Sequence, residues 1–457
     1  MALITWILTA LASTKVRAAL DVIPGATWTA TNTGEHVQAH GHGLIAYNSK
    51  SNSEVGGTYY MIGEDKTEGT YFQNVNCYSS TDLVEWTYVG ALLSRTDEAG
   101  DLGPSRVVER PKVIYNDATE KYVLYLHIDS SDYKDARVGV ATGDSVCGSY
   151  EYHGSFRPLG HQSRDMGLFK DDDGSAYLMS EDREFGTRIM ALSEDYLNVT
   201  EATYEWEYFA ESPAMLKKDG YYFIFGSHLT GWNPNDNVYS YATSLSGPWS
   251  EWTEFAPVGS NTFRSQVSYI QPLGDSAIYI GDRWVSSNLV ASTYIWLPLT
   301  VSGTEVTLSW RDSWAPNVAE GTWSEGTSET TLEGEDAGLE NGAIVITCSE
   351  CSEGEAAGYI GGDTDGTVTF DNVQSPSGGR ETVTIKYRNG DTASRHAKVT
   401  VNGKSQTVAF LSTRHASTEA GSSSLHCDLE EGTNTIVFSA SEGGWGPDVD
   451  QLLVPSE

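Results

Sequence analysis

The chain is patterned as a succession of short apolar runs separated by polar turns. Runs rich in Tyr, Val, Ile and Phe alternate with Gly, Asp, Asn and Ser, and helical periodicity is almost absent. This pattern predicts antiparallel strands joined by tight turns. One aromatic strand recurs about 45–63 residues apart, and a tyrosine marks each copy: Tyr59, Tyr122, Tyr177, Tyr222 and Tyr279. Repeats of this length, each holding four strands, predict a five-bladed β-propeller over residues 19–316.

The composition changes after residue 316, which divides the chain into two predicted domains. Residues 317–330 are polar, acidic and rich in Gly, Ser and Thr, so we expect a linker there. Residues 331–457 hold short alternating strands, of which residues 382–387 (TVTIKY) are one example. This alternation is typical of a small antiparallel β-sandwich, here of the jelly-roll type. The predicted fold class is therefore all-β.

Residues 1–18 have the pattern of a secretory signal peptide. A short apolar run is followed by small residues, and Val16-Arg17-Ala18 offers a small-x-small cleavage site. The run is shorter than the roughly 20 residues that span a membrane. An anchor or a buried helix is the alternative, but the pattern favours a secreted, extracellular product without a membrane partner. Asn198 lies in an Asn-Val-Thr glycosylation sequon, which is consistent with secretion.

The five cysteines are compatible with disulfides in a secreted protein. In the first domain we expect Cys77 to pair with Cys147. In the second, the CxxC motif of Cys348 and Cys351 lacks the second CxxC or histidine pair of a zinc site. We therefore expect one of these two thiols to bridge Cys427 and the other to stay unpaired.

The overall charge narrows the class of partner. The 457 residues include Lys+Arg 28 and Asp+Glu 63, a formal net charge of -35. Nucleic acids and anionic membranes attract basic patches, so neither is expected as a partner. The 25 tyrosines and 13 tryptophans supply flat rings on which sugars can stack. No oligomerisation signal is evident, and we expect a monomer.

Three acidic residues stand in apolar strand context ahead of the recurring aromatic strand. They are Glu109, Asp165 and Glu211, and their similar positions predict that they converge on the propeller axis. Turn acids, or ion pairs with Arg110 and Arg164, are the alternative interpretation. Paired carboxylates suit glycoside hydrolysis, in which one protonates the leaving oxygen and another group activates water.

Several separated motifs resemble glycoside hydrolase family 43. They are Ser-Arg-Asp at residues 163–165 and Glu-Ser-Pro-Ala-Met at residues 211–215, within a five-fold repeat. Residues 63–66, 108–112, 231–232 and 281–284 are similar to its exo-β-1,3-galactanase subgroup. The tail resembles a family 35 carbohydrate-binding module.

The resemblance implies an inverting mechanism without a catalytic cofactor. Glu211 is then the general acid, and Asp165 modulates its pKa and orientation. Gln38 stands where the family usually has an aspartate base. Gln266 is the favoured residue for positioning the water, and Glu109 is the alternative, although the resemblance gives it sugar hydroxyls to bind. The residues expected to bind the terminal sugar are Glu64, Gln38, Tyr133, Trp232 and Arg283.

The tail carries two further predictions. Glu333 and Glu335 lie on one strand face and can meet Asp450 of the terminal strand, a hard oxygen cluster that suits Ca²⁺. Simple surface acidity is the alternative, and the resemblance favours calcium. The expected sugar contacts of the binding module are Tyr359, Tyr387, Asn389 and Asp391.

The resulting hypothesis is a secreted hydrolase that releases galactose from the non-reducing end of β-1,3-galactan, the backbone of arabinogalactan. Another family 43 activity, an α-L-arabinofuranosidase or a β-xylosidase, is the rival enzyme. A propeller that binds carbohydrate without catalysis is the rival from another class, because the expected aspartate base is missing.

Overall fold

The computed structural model describes residues 20–47, 57–414 and 420–456. The predicted signal peptide, residues 1–18, lies outside the described residues. The described part is dominated by strands, so the all-β prediction is confirmed. Among the described residues, no helix is long and apolar enough to cross a membrane.

Residues 40–308 form successive antiparallel sheets of four strands each, five in the described part of the chain. Their strands, in chain order, are β1 His40–Tyr47, β2 Thr58–Glu64, β3 Asn74–Ser80, β4 Thr87–Ser94, β5 Val107–Asn116, β6 Lys121–Asp129, β7 Arg137–Gly143, β8 Glu151–Phe156, β9 Met166–Lys170, β10 Ala176–Asp182, β11 Gly186–Leu192, β12 Val199–Glu205, β13 Glu211–Lys218, β14 Tyr221–Ser227, β15 Val238–Ala242, β16 Thr253–Glu254, β17 Gln266–Leu273, β18 Ser276–Arg283, β19 Thr293–Ser302 and β20 Glu305–Leu308. Each sheet is made of strands consecutive in sequence.

The first strand of each sheet, here called the inner strand, is better buried than the last strand at the opposite edge. In β5 only one residue is not buried, whereas β12 at the opposite edge of its sheet is mostly exposed. The inner strands contact one another in the order β1, β5, β9, β13, β17, and β17 contacts β1. Neighbouring sheets share apolar cores, and the first and fifth sheets share one around Met61, Ile278 and Trp296. The inner strands are therefore held together at one centre.

Helical structure in the described residues is limited to single turns. They are α1 Asn261–Arg264 and the 3₁₀ turns Pro158–Gly160, Leu289–Ala291, Ser352–Gly354 and Gly362–Thr364. All of them lie in connections between strands.

The remaining strands belong to the tail. They are β21 Trp314–Asn317, β22 Thr322–Glu325, β23 Glu329–Glu333, β24 Gly338–Glu340, β25 Ile344–Thr347, β26 Glu355–Gly358, β27 Thr367–Ser375, β28 Gly379–Arg388, β29 Arg395–Val401, β30 Lys404–Phe410, β31 Gly421–Leu429, β32 Gly432–Ala440 and β33 Asp448–Pro455. One sheet has the order β25-β26-β33-β28-β31 with β23 also on β33, and the other has the order β24-β27-β32-β29-β30. Residues of both sheets form a single apolar core.

The predicted linker, residues 317–330, is instead structured. β21 and β22 pair as a hairpin, and β23 adds to the terminal strand β33. Trp323 packs against the core shared by the first and fifth sheets, and Arg311 lies over its ring at 4.6 Å. Threonine and tryptophan favour strands in this otherwise polar segment, so the connection between the two parts of the chain is ordered.

The two parts of the chain are joined by more than the covalent connection. The segment before β1 runs along the edge strand β31: Thr27 N–H donates to Ser422 O at 2.8 Å, and Ser424 N–H donates to Thr27 O at 3.1 Å. Arg380 of the tail binds both carboxylate oxygens of Glu85. The N-terminal segment therefore pairs with an edge that would otherwise have open hydrogen-bonding groups.

The disulfide between Cys77 and Cys147 is confirmed. The prediction for the tail was wrong: Cys348 pairs with Cys351, and Cys427 is unpaired within the described residues. Cys427 lies in the core between the two tail sheets, whereas the Cys348–Cys351 bridge closes a local turn outside it.

Candidate active site

Equivalent positions at the starts of the five inner strands bring polar side chains together. These positions hold His40, Glu109, Asp165, Glu211 and Gln266, and they lie opposite Glu64, His127, Glu181, Ser227 and Asp282 on the second strands. In three sheets a bulge follows, with a left-handed residue next in the chain: Gly41 (φ 58), Arg110 (φ 54) and Ser212 (φ 55). A bulge bends the strand and redirects the side chain beside it.

A cavity of about 200 Å³ lies at this centre. Its lining residues are Glu64, Glu109, Arg110, Tyr133, Asp165, Arg183, Glu211, Gly231, Trp232, Gln266 and Trp284. Of the predicted active-site residues, the structure brings together Glu64, Glu109, Tyr133, Asp165, Glu211, Trp232 and Gln266.

Glu211 has the surroundings of a general acid. Its side chain is only about 5% exposed, Arg183 Nη2 donates to Oε1 at 2.6 Å, and Gln266 Nε2 lies 3.4 Å from Oε2. Burial, followed by the negative charges of Asp165 and Glu181, raises the pKa of the Glu211 carboxyl to about 8. Glu211 therefore keeps its proton at neutral pH and can donate it.

Asp165 lies beside Glu211 and pairs with an arginine. Arg110 Nη2 is 3.0 Å from Asp165 Oδ2, and the same nitrogen donates to Gln266 Oε1 at 2.5 Å. The ion pair weighed as the alternative for this acid does exist, and it lines the cavity rather than the outer surface. Arg110 thus holds two of the predicted catalytic side chains in one arrangement.

The side-chain amide of Gln266 is fixed by contacts at both ends. Nε2 donates to Ser227 Oγ at 2.9 Å, and Oε1 accepts from Arg110 and from Trp284 Nε1 at 2.9 Å. A carbonyl oxygen has two lone pairs, and both are engaged here. Gln266 is therefore positioned but weakly basic.

Glu109 and Glu64 share a buried lysine. Lys66 Nζ is 3.1 Å from Glu109 Oε1 and 2.5 Å from Glu64 Oε2, and its side chain is 2% exposed. Burial alone would raise the pKa of Glu109, but Lys66 and His127 outweigh it and hold that pKa well below its ordinary value. For Glu64 burial is the larger effect and raises its pKa. Glu109 is thus ionised and suited to accepting hydrogen bonds from hydroxyls.

Three aromatic side chains form the wall of the cavity. Trp232 and Trp284 meet edge to face with ring centroids 4.8 Å apart, and Lys66 lies 5.2 Å from the Trp232 ring. Tyr133 donates its hydroxyl to Glu109 Oε1 at 3.2 Å. Rings beside charged hydrogen-bonding groups are the combination that a sugar, with apolar faces and hydroxyl edges, requires.

The model of glycosyl hydrolases family 43 matches residues 46–279. The chain belongs to glycosyl hydrolase family 43. A crystal structure of an exo-β-1,3-galactanase from Phanerochaete chrysosporium with galactose is 38% identical, covers 95% of this chain and 99% of that one, and gives a TM-score of 0.67. A variant of that enzyme with β-1,3-galactotriose gives 0.66 at the same identity and coverage. A putative exo-β-1,3-galactanase from Bifidobacterium bifidum is 40% identical over 64% of this chain and 97% of that chain, with a TM-score of 0.60.

Matches to curated relatives are shorter. A xylan 1,3-β-xylosidase from a Vibrio species is 27% identical over 188 residues, which are 37% of this chain and 34% of that enzyme. An α-L-arabinofuranosidase C from Cellvibrio japonicus is 36% identical over 85 residues, 14% of its length. The chain thus spans about a third or less of these relatives. In the tail, residues 367–454 match the CBM13-like domain of α-galactosidase, a different module from the family 35 predicted.

Two predicted sugar-binding residues of this family 43 enzyme lie outside the cavity. Gln38 is buried behind it, where Oε1 accepts from Lys66 N–H at 2.9 Å and the side-chain amide contacts His36. Arg283 points to the other face of its strand, donates to Phe263 O at 2.9 Å and lies over Trp310. Its neighbour Trp284 faces the cavity instead, because successive strand residues point in opposite directions.

Several residues of the site were not predicted: Arg110, Arg183 and Trp284, which line the cavity, and Lys66, which is buried against Glu64 and Glu109. A sequence signal for three of them exists. Glu64, Glu181 and Asp282 are the second-strand residues that lie opposite the site positions of their inner strands. Two residues after each of them in the chain come Lys66, Arg183 and Trp284, respectively. Aligning the repeats on their second strands would have found them.

The predicted sugar contacts of the tail separate into two groups. Tyr387 is 1% exposed and its hydroxyl donates to Leu411 O at 3.0 Å, and Asn389 is fully buried and donates to Phe410 O. Both support the core and are not surface contacts. Tyr359 is 52% exposed and meets Trp445, which is 45% exposed, at 5.9 Å between ring centroids.

The fourth predicted contact, Asp391, lies at the surface. Its Oδ2 accepts from Arg395 Nε at 2.8 Å, and Arg395 also donates to Gly446 O, next to Trp445. Asp391 therefore lies near the exposed aromatic pair, and Trp445 joins the residues that sequence reasoning missed.

Of the predicted calcium ligands, Glu333 and Glu335 lie at the start of the tail, and Asp450 lies on its last strand, β33. Asp450 Oδ1 accepts from Ser352 N–H, and Gln451 donates to Glu333 Oε1 at 2.9 Å. Within the described residues, Glu333 Oε2 and both carboxylate oxygens of Glu335 are buried without a hydrogen-bond partner. Burial, then the neighbouring acids, raises the pKa of Glu335. Buried carboxylate oxygens that lack donors fit a hard cation.

Proposed function

We propose that this family 43 enzyme releases galactose from the non-reducing end of β-1,3-galactan. The observation that carries the proposal is the buried carboxyl of Glu211, bound by Arg183, in an aromatic-walled cavity of about 200 Å³. That volume is below the roughly 300–1,000 Å³ of pockets for drug-sized ligands, which suits one terminal sugar rather than a chain passing through. The similarity to structures of exo-β-1,3-galactanases supports galactose as that sugar.

In the proposed reaction Glu211 gives its proton to the glycosidic oxygen as the C1–O bond breaks, and the bonding electrons remain on that oxygen. A water attacks C1 from the opposite face and passes its proton to solvent, from which Glu211 is reprotonated, so the β-linked galactose is released as the α-anomer. Asp165 pairs with Arg110 beside Glu211 and raises the pKa of the Glu211 carboxyl. Glu109 and Glu64 bind hydroxyls of the terminal sugar.

Galactose release from β-1,3-galactan by the wild type and by Glu211→Gln tests this function. We expect release by the wild type alone, with the α-anomer appearing first in the proton NMR spectrum. Aryl α-L-arabinofuranoside and β-xyloside are run alongside. If the enzyme hydrolysed either aryl glycoside faster than β-1,3-galactan, the rival family 43 activity would be the correct assignment. If it hydrolysed none of the substrates, the protein would be a carbohydrate-binding protein.

The group that handles the attacking water can be identified by chemical rescue. We propose that Gln266 positions the water and that Glu109 binds the sugar. Azide needs no base, so it is expected to restore turnover of Gln266→Ala, giving α-galactosyl azide, and not of Glu109→Ala. Rescue of the Glu109 variant alone would assign the base to Glu109.

For the architecture, we propose that the five sheets are the blades of a closed propeller and that the tail is a jelly-roll β-sandwich. The cyclic order of inner-strand contacts and the core shared by the first and fifth sheets support closure. We further propose a secreted monomer, and the disulfides of the described residues suit an oxidising compartment. Light scattering of the purified protein tests the monomer.

In the tail we propose galactan binding by Tyr359 and Asp391 together with Trp445, and a Ca²⁺ ion held by Glu333, Glu335 and Asp450. Calorimetric titration with Ca²⁺, on protein that has first been treated with a chelator, tests the ion site. We expect stoichiometric binding that Asp450→Ala abolishes, and unchanged binding in that variant would remove the assignment.

A further inference from the structure

A buried acid stands next to the general acid without touching the substrate cavity. Glu181 is fully buried, and within the described residues its Oε2 has no hydrogen-bond partner. Its other oxygen, Oε1, accepts from Arg183 Nε at 2.7 Å. A buried carboxylate with a single charged partner holds that partner firmly, because losing the pair would leave an uncompensated charge.

Arg183 connects this buried acid to the catalytic one. Its Nη2 donates to Glu211 Oε1 at 2.6 Å, and its side chain lines the cavity while 43% exposed. In the described residues its hydrogen bonds use Nε and Nη2, and a guanidinium has five N–H groups. Arg183 therefore keeps donors at the cavity mouth while two carboxylates fix its plane.

The contact also determines which oxygen of Glu211 carries the proton. Oε1 accepts from Arg183 at 2.6 Å, whereas Oε2 accepts only a longer hydrogen bond, 3.4 Å, from Gln266 Nε2, which also donates to Ser227 Oγ, so the proton is assigned to Oε2. The glycosidic oxygen receives this proton, so the leaving sugar must lie on the Glu211 side of the cavity. Arg183 is the half-exposed cation on that side.

We propose that Arg183, anchored by Glu181, is a positioning residue that orients Glu211, stabilises the carboxylate formed when Glu211 has given up its proton, and hydrogen-bonds hydroxyls of the leaving sugar. The inference rests on the proposed function. The charge-assisted contact is strongest after proton transfer, when Glu211 becomes negative, so it favours the transition state over the ground state.

The charged groups facing Glu211 act in opposite directions. Asp165 and Glu181 disfavour its ionised form, and Arg183 and Arg110 favour it. Removing Arg183 is thus expected to raise the pKa of Glu211, and removing the charge of Glu181 is expected to lower it. A residue that only maintained the fold would not produce opposite shifts.

The test measures the pH profile of kcat/KM on β-1,3-galactobiose for Arg183→Ala, Arg183→Lys and Glu181→Gln. For Arg183→Ala we expect kcat to fall about 10- to 100-fold and the alkaline limb to move up by about one pH unit. Arg183→Lys keeps the charge and should leave the limb near that of the wild type. Glu181→Gln should move it down. Glu184→Gln, an exposed acid of the same turn, is the matched control.

A loss of activity with an unmoved alkaline limb, or limbs that move the same way in Arg183→Ala and Glu181→Gln, would overturn the proposal. The titration of Glu211 is also readable without substrate. For each protein, the free energy of unfolding is compared with that of the same protein carrying Glu211→Gln. The pH dependence of the difference gives the titration of Glu211. If the wild type released no galactose while these titrations shifted as expected, the proposed function would fail and the positioning role would stand.

Discussion

Replacing Glu211 by glutamine is expected to stabilise the folded protein while abolishing hydrolysis. The carboxyl is about 5% exposed and neutral at pH 7, because burial and the negative charges of Asp165 and Glu181 raise its pKa to about 8. In the unfolded chain the same carboxyl has an ordinary pKa and is ionised. Folding at neutral pH must therefore take up a proton, which costs free energy.

The size of this cost follows from the two pKa values. Each pKa unit corresponds to about 1.4 kcal/mol, so holding the proton from an ordinary pKa of 4.5 up to pH 7 costs about 3 kcal/mol. Glutamine resembles the neutral acid and keeps an oxygen for Arg183, but its amide must face Gln266. We expect a gain of roughly 1–3 kcal/mol at pH 7.

The sign of the effect is opposite to that of a salt-bridged carboxylate, whose pKa is lowered by folding. A folded pKa above the unfolded one means that the cost is absent below about pH 4.5 and grows as the pH rises towards 8. Thermal unfolding of the wild type, Glu211→Gln and the exposed control Glu184→Gln at pH 4 and pH 7.5 measures it. A gain of the same size at both pH values, or none at pH 7.5, would show that Glu211 is ionised in the folded protein.

Three further predictions concern other parts of the chain. Trp445→Ala should weaken galactan binding in affinity electrophoresis by about tenfold while kcat on β-1,3-galactobiose stays unchanged. An equal loss of binding and of kcat would show that Trp445 does not belong to a binding surface separate from the active site. Arg380→Ala should destabilise the junction between the propeller and the tail by about 1 kcal/mol, so that the two parts unfold in separate calorimetric transitions. Arg311→Ala is the control and should have neither effect, because the carboxylate that Arg311 binds is exposed. Mass spectrometry of unreduced peptides should find Cys348 linked to Cys351, and a peptide linked to Cys427 would contradict the structure.

The catalytic positions were predictable because the repeat register places them. Glu109, Asp165 and Glu211 precede the same recurring strand, and Gln266 follows the same rule in the fifth unit. In the first unit His40 occupies the equivalent position, whereas the family resemblance pointed to Gln38. Gln38 precedes β1, and the pairing of His40 with Glu64 determines which residue begins this inner strand.

The tail shows a second limit of sequence patterns. Strand β28 lies between β31 and β33, so its Tyr387 is enclosed by neighbours on both sides and packs into the core. Alternation predicted the strand but not which face the other sheet covers. The disulfide was undecidable for a related reason, because which cysteine faces the core depends on the pairing of strands distant in sequence.

The charges of the cavity explain how so acidic a protein can hold a neutral sugar. The chain has a formal net charge of -35, yet two cations, Arg110 and Arg183, line the cavity and a third, Lys66, is buried against Glu64 and Glu109. Lys66 keeps Glu109 ionised, and Arg110 pairs with Asp165, while Glu211 stays neutral. The pKa values of Glu109 and Glu211 are therefore shifted in opposite directions, and this difference identifies Glu211 as the acid. With nearly balanced charge, sugar binding must depend on hydrogen bonds and stacking, so KM for β-1,3-galactobiose should change little with salt concentration.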